Sequence, residues 1–580
     1  MVGRALDIDK HFTQDQLAAF VADKWHLWDM NMAGKLKEWK ELRDYVYATD
    51  TTTTSSAATP WSHTTHIPVL GQIHDRLTAN YMTALFPDRN WMDWQANDEE
   101  SEKKDKVDLV KSYMSSKIEE DNFHQDIEAC LDDYSLYGNV YGEVEFVNEY
   151  EFKEDTGEAI EKYVGPRLRR ISPLDIRFNP AVSDFVKAPK IVRKIMTLGD
   201  VAQVIEDHVD KAYMGELLDR LYEVRHAIPD QSYTQKNQAY IADGFGSIEE
   251  YYASDFVEIL TFYGDIYDKD TKTLRRNRVI EVADRRWVLS DKQNPSWSGY
   301  ANIFHVNWRQ RPDNLIGMGP LDNLVGLQYK VNHLENARAD AFDQIVYPRL
   351  TIRGDIDDFE DKPGEHIYLG DEGAVGYLAP DTTALNADFQ IANTIQMMEE
   401  IAGAPKESVG FRTPGEKTAL EFASLEANAN KIFKVKAERF EKRFLEPVLN
   451  AMLSESARNL TGVASIVVSD EETGANLFVK VNRSDLVSTG KIHARGARHF
   501  NESAARTSNL QQMFGLLSNP ATSPHVSGKG LVKLVSDEIK EPQLYGENIA
   551  MSELKETELA KMEAQAGVQE ELAIAEEMGT

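Results

Sequence analysis

The chain has 580 residues, 42% apolar and 28% charged, with 64 Lys+Arg against 96 Asp+Glu for a net charge of -32. At about 100–200 residues per domain there is room for three or four units, and ordinary apolar and charged fractions argue against wholesale disorder. The single cysteine, Cys130, excludes an intrachain disulfide framework and a thiolate zinc cluster, while the acid excess argues against tight, chain-wide binding to nucleic acid.

The start, MVGRALDIDKHF, has no apolar leader, and nowhere do about 18 apolar residues run together, so a soluble protein made in a reducing cytoplasm, with no membrane segment, is expected. Residues 5–48 have helical periodicity through Leu17, Phe20, Val21, Trp25 and Trp28. The run 51–59, TTTTSSAAT, reads as a loop or flexible arm. Residues 67–85 read as a helix closed by Pro87. Six of the nine tryptophans precede residue 95, which points to a large aromatic core or a subunit interface, the core being favoured.

Residues 104–136 are again helical, and Gly138 and Asn139 turn the chain into a strand alternating through Tyr141, Val144 and Phe146. PRLRRISPLDIRFNP at 166–180 reads as paired short strands, followed by a helix over about 200–226. Its arginines, Arg167, Arg169, Arg170 and Arg177, suit salt bridges in an acidic protein better than DNA contact. Residues 255–310 hold three or four β-rich stretches and read as a small insert. A helix is expected from just after Gly317-Met318-Gly319-Pro320 to residue 346, with Leu321, Leu324, Val325, Gln328, Val331, Leu334, Ala337, Ala341 and Ile345 on one stripe.

Strand and loop over 349–380, a helix over 386–402 and a Pro/Gly loop, APKESVGFRTPGEKT, come next. The longest amphipathic helix then runs over 418–450, with Phe422, Leu425, Ala429, Phe433, Ala437, Phe440, Phe444 and Val448 in a continuous stripe about 50 Å long. It carries Lys431, Lys434, Lys436, Arg439, Lys442 and Arg443 against Glu438 and Glu441. Contact with DNA and salt bridges between subunits are both open to these cations. The tail from 552 to 580 has eight Glu against two Lys and a helix-forming composition.

Residues 410–418, GFRTPGEKT, nearly form a phosphate-binding Walker loop, but Glu416 separates Gly415 from Lys417 and places a carboxylate where phosphate would sit. Gly317-Met318-Gly319 lacks the third glycine of a dinucleotide fingerprint, because Asp322 stands there. His63 and His66 lack a third ligand at metal spacing. No HExxH, GxSxG or CxxC occurs. No catalytic residue, metal or cofactor is therefore assigned.

The order of parts resembles the portal proteins of tailed bacteriophages, notably podovirus head-to-tail connectors. NLIGMGPLDNLVGLQYKVNHLENARADAFDQIVYP looks like the portal helix that follows the clip; FRTPGEKTALEFASLEANANKIFKVKAERFEKRFLEPVLNAML looks like the tunnel loop and wing helix; NYMTALFPDRNWMDW looks like a wing segment. The resemblance implies an α+β, mainly helical portal fold assembled as a homo-oligomeric, dodecameric ring around a central channel. It places the N-terminal wing at 1–225, the first stem arm and β-rich clip at 226–316, and the second stem helix at 317–346. The C-terminal wing follows at 347–500, with tunnel loop 405–418 and long helix 418–450, and the crown and acidic tail at 501–580.

Such a ring sits at one capsid vertex of the virion, is assembled in the host bacterial cytoplasm beside the major capsid or scaffold protein, and is not an enzyme. The terminase large subunit docks on it and drives double-stranded DNA through the channel; tail adaptor proteins replace the motor afterwards for retention and ejection. Lys406, Phe411, Arg412 and Lys417 are the expected DNA-facing residues of the tunnel loop. Two other readings are an NTP-dependent DNA-processing enzyme using 410–418 and another virion component, such as an adaptor or tail protein.

Overall fold

The computed structural model describes residues 7–8, 14–49, 63, 65–87, 91–97, 104–152, 159–206 except 183, 219, 221, 256–268, 272–294, 296, 299–346, 350–353, 374–377, 386–403, 431–469, 476–487 and 490–496. Over these residues the chain is α+β, with no closed barrel.

A short strand, β1 (Asp7–Ile8), precedes α1 (Gln14–Val46), whose 33 residues span about 50 Å at 1.5 Å per residue. Two packed regions share this helix. Its first half buries Leu17, Phe20, Val21, Trp25 and Trp28 against Ile191, Leu260, Phe262 and Ile280, and its second half buries Met32, Leu36, Trp39, Leu42 and Tyr45 in the main core. Arg177 and Arg193 lie over the Trp25 ring at 5.0 and 5.3 Å, and Asp29 and Asp175 pair with them at 2.7 and 2.9 Å. Of the early tryptophans, Trp25, Trp28, Trp39, Trp91 and Trp94 are buried within their own chain; Trp61 lies outside the described residues.

Then come α2 (Val69–Leu85), β2 (Met92–Ala96), α3 (Lys104–Glu120) and α4 (Phe123–Leu136), so the helical stretch at 104–136 is two helices broken at Asp121 and Asn122. Gly138, at φ +66, admits no side chain: a Cβ there would lie 2.2 Å from the Gly319 nitrogen. It leads into β3 (Asn139–Phe152), β4 (Ala159–Ile171), β5 (Ile176–Phe178), β6 (Lys190–Thr197) and α5 (Leu198–Glu206). The expected pairing within 166–180 does not form. Instead β4 pairs with β3 and β5 with β6, a strand whose Lys190, Arg193 and Lys194 disguise it in the sequence. Arg167, Arg170 and Arg177 do take carboxylate partners, Asp121, Asp133 and Asp29.

β7 (Phe256–Asp268), β8 (Thr273–Ala283) and β9 (Trp287–Gln293) complete a sheet ordered β5-β6-β7-β8-β9, with β1 parallel to β7. Strands from either side of residue 225 thus share one sheet, and that sheet packs on α1. β10 (Ile303–Asn307) joins β3 and β4, and β11 (Arg309–Arg311) with β12 (Asn314–Met318) forms a hairpin beside it.

The next helix, α6 (Val325–Val346), begins later than Pro320 suggested, because residues 319–324 make a turn in which Asp322 accepts the Gly319 N–H at 3.1 Å and pairs with Lys35 at 3.0 Å. Its buried face is also more polar than the expected stripe: Gln328, Val331, Asn332 and Asn336 are covered. The extended residues before α2 lie along it. Backbone N–H groups of His63, Thr65, Ile67 and Leu70 donate in turn to Asp340, Asn336, Asn332 and Gln328, at 2.8, 2.8, 3.2 and 3.3 Å. Side chains one helical turn apart therefore satisfy the alternate amides of residues 63, 65 and 67, which no sheet pairs, and one amide in the first turn of α2.

β13 (Leu350–Arg353) pairs with β14 (Ala374–Tyr377), and α7 (Asp388–Ala402) returns along α6, with Arg338 paired to Asp388 at its start and Glu399 to Arg76 of α2 at its end. From residue 337 to the end of α6 no residue is buried, and Phe342, Val346, Ile352, Phe389 and Met397 are each at least 49% exposed. Among its described residues, the α6–β13–β14–α7 excursion is anchored where α6 begins and α7 ends, and carries these exposed apolar side chains between.

α8 (Lys431–Phe440), a π-helical turn (Glu441–Leu445) and α9 (Glu446–Asn459) form one helical run that reaches nine residues past Asn450. Pro447 lacks an N–H for the Arg443 carbonyl, and the wider turn just before it accommodates that loss. Phe433, Ala437, Phe440, Phe444 and Val448 are all buried as the periodicity requires; Phe422, Leu425 and Ala429 fall outside the described residues. β15 (Val463–Ser469), β16 (Asn476–Asn482), α10 (Arg483–Leu486) and β17 (Gly490–Ala494) follow, with β17 paired to β2. Residues 51–59, expected as a loop, 226–255, the first part of the stretch expected to hold the first stem arm and clip, and 501–580, expected as crown and acidic tail, lie outside the described residues.

Candidate nucleic-acid interface

The β11–β12 hairpin lies against one flank of α8 and brings four cations together, Arg309 from the strand, Lys436 and Arg439 from α8, and Arg443 from the π turn, with Arg311 a fifth, exposed cation two residues along the same strand. Trp308 is the anchor. It is 3% exposed, donates its indole N–H to Tyr81 Oη at 3.1 Å and its backbone N–H to the Gly138 carbonyl at 3.0 Å. Lys436 Nζ sits 4.1 Å from the Trp308 ring centroid and donates to its carbonyl at 2.7 Å, while the Arg309 guanidinium lies 5.6 Å from the same ring. Arg439 donates to Asn307 Oδ1 at 2.7 Å and to Gln310 Oε1 at 3.1 Å, and Arg443 donates to the same Gln310 oxygen at 3.1 Å.

A neutral amide thus holds two guanidiniums side by side without cancelling either charge. None of the five cations pairs with a carboxylate among the described residues, whereas Arg167, Arg170, Arg177, Arg193, Arg278 and Arg285 each do. Burial, with repulsion from Arg439 and Arg309, pushes Lys436 down to about 8, and burial with repulsion from Arg443 lowers Arg439. Arg309, Gln310, Arg311 and Arg443 are exposed. The patch offers positive charge and N–H donors, and Lys436 Nζ is already held by the Trp308 carbonyl and ring, an arrangement suited to binding an anion.

The residues singled out from the sequence fall differently. Lys406, Phe411, Arg412 and Lys417 lie outside the described residues, as does the rest of 405–418. Lys436, Arg439 and Arg443 join the patch, and Lys442 reaches Glu438 at 3.9 Å. His63 and His66 do not converge: His63 Nε2 meets Asp343 at 2.7 Å, and His66 accepts from Asn332 and donates to the Tyr45 carbonyl. No group of three metal-ligating side chains occurs among the described residues. Gly317 and Met318 end a strand. Sequence reading missed Arg309, Arg311 and Gln310, whose RQR triplet gains meaning only when the hairpin meets α8.

Two other places hold reactive residue types. Ser135 Oγ lies 2.8 Å from His74 Nδ1, and Asp132 lies 3.6 Å from His74 Nε2, the residue types of a nucleophilic triad. Ser135 is wholly buried, contacts Thr78 and bonds the Leu131 carbonyl at 3.1 Å, so the group ties α2 to α4. A cleft of about 500 Å³ between α9 and β17 is lined by Lys442, Glu446 and Lys491 among others, and Glu446 pairs with His493 at 3.5 Å. No helix among the described residues is long and apolar enough to cross a membrane. No protein-family model matches the chain, and no curated protein sequence matches it.

Proposed function

We propose that this chain is the portal protein of a tailed bacteriophage, one subunit of a ring through which double-stranded DNA enters and leaves the capsid. The observation that carries this reading is the α6–β13–β14–α7 excursion, which exposes Phe342, Val346, Ile352, Phe389 and Met397 in a single chain. Apolar side chains presented along a helical arm are the signature of an assembly surface, and neighbouring copies in a ring would cover them. The arm also bears on the placing of stem and clip. Two helices flanking a β-hairpin match a stem–clip–stem order at 325–402, whereas the strands at 256–293 pack on α1 within the body; we therefore place the clip at β13–β14.

In this reading the chain hydrolyses nothing. The terminase large subunit supplies the energy for packaging, and adaptor proteins take its place at the arm's tip afterwards. Electron microscopy of purified protein tests the reading: rings with a central hole support it, and monomers or dimers under all conditions overturn it. The NTP-dependent enzyme reading predicts ATPase activity that Lys417→Ala abolishes.

A further inference from the structure

We propose that the patch built by β11, α8 and the π turn is a contact for the phosphodiester backbone of duplex DNA, additional to loop 405–418 and indifferent to base sequence. That DNA passes this surface rests on the portal reading; that the patch takes phosphate does not. The chain carries 96 acidic residues against 64 basic ones, yet the acceptors that Lys436, Arg439 and Arg443 use among the described residues are neutral, Asn307, Gln310 and the Trp308 carbonyl. Holding like charges together without a counter-ion is unfavourable; Lys436 and Arg439 are lowered first by burial and then by repulsion from their cationic neighbours. A bound phosphate relieves it, and each guanidinium keeps N–H donors beyond those already used.

The Gln310 clamp is what separates this arrangement from scattered surface charge. It fixes Arg439 and Arg443 in one geometry, so less side-chain freedom is lost on binding. Carboxylates of a second copy are the competing partner. An interface between proteins has an apolar centre with charges at its rim, whereas here the centre is Gln310 and the guanidiniums it holds. Contacts of this kind read charge and backbone, not bases.

The test uses the full chain and a variant carrying Arg309→Gln, Arg311→Gln and Arg443→Gln, all at exposed positions. Fluorescence anisotropy follows binding to two 30-base-pair duplexes of unrelated sequence across a salt series, and light scattering gives the mass of each protein. We expect equal binding of both duplexes by the natural chain, and at least ten-fold weaker binding by the variant. The slope of log K against log salt should flatten by about 2.7, that is, about 0.9 for each of three lost phosphate contacts. The matching Arg→Lys triple should keep the slope, which separates charge from folding.

An unchanged slope in the Gln variant overturns the proposal. So does an altered assembly mass with duplex binding intact, which would assign the patch to carboxylates of a second copy. Thermal stabilisation by inorganic phosphate without any duplex binding overturns it too, by reducing the patch to a small-anion site. If microscopy shows no rings while the slope still flattens, the portal reading fails and the phosphate contact stands.

Discussion

Replacing Asn332 by alanine should loosen the junction between α6 and the body more than any exposed substitution on that helix. Asn332 is fully buried, accepts the Ile67 N–H at 3.2 Å and a Gln328 Nε2–H at 2.9 Å, and donates to His66 Nδ1 at 2.9 Å. Gln328 keeps its bond to the Ile67 carbonyl at 2.6 Å, and half-buried His66 can turn to water, so the unrecovered loss is the Ile67 N–H, the second Gln328 Nε2–H and the amide's packing. An orphaned buried donor costs about 1–3 kcal/mol, and with the small void the total is about 2–4 kcal/mol. Hydrogen exchange over residues 63–70 reads this locally. At about 1.4 kcal/mol per factor of ten, protection there should fall roughly 30-fold or more. A fall of less than three-fold would mean that the ladder of Gln328, Asn332, Asn336 and Asp340 does not hold the segment.

Three further outcomes follow from named contacts. His305 stacks on Tyr141 at 4.8 Å, and burial pushes its pKa down to about 3 from 6.5, so its contribution is complete above pH 6.5 and lost as pH falls from there towards 3. His305→Phe should flatten the acid limb of a urea-midpoint profile by up to about 1.4 kcal/mol per pH unit in that window, and an unchanged profile would refute it. Gly138→Ala should prevent soluble expression, because φ +66 and a Cβ 2.2 Å from the Gly319 nitrogen combine strain with a backbone clash; a folded, soluble variant would contradict the described junction. Lys417→Ala should leave phosphate release from ATP at background, as in the natural chain, while reducing packaged DNA in an assembly assay. Measurable ATPase activity in the natural chain would favour the enzyme reading.

How much the sequence disclosed differs from element to element. Period 3.6 located α1, α2, α7 and the described part of the long helix, since their buried faces are apolar and regular, and alternation located β3 and β7 to β9. It failed where burial is polar. The strand β6 was hidden by Lys190 and Arg193, both buried, the first beneath Phe185 and the second against Asp175. Half of the buried α6 face was hidden because its amides pair with a backbone segment some 260 residues earlier. The cation patch was half legible: Lys436, Arg439 and Arg443 stand on one helix, but Arg309 and Arg311 reach them only through a long-range hairpin contact. Periodicity fixes neither who pairs with a cation nor which strands share a sheet.

The central claim is that copies of this chain close into a ring. Single-particle electron microscopy of the purified protein, with classes counted for rotational symmetry, addresses it most directly. The account predicts closed rings of about twelve subunits with a central channel and with the α6–α7 arms packed against one another. Particles that remain monomeric or dimeric, with Phe342 and Phe389 still open to solvent, would contradict it.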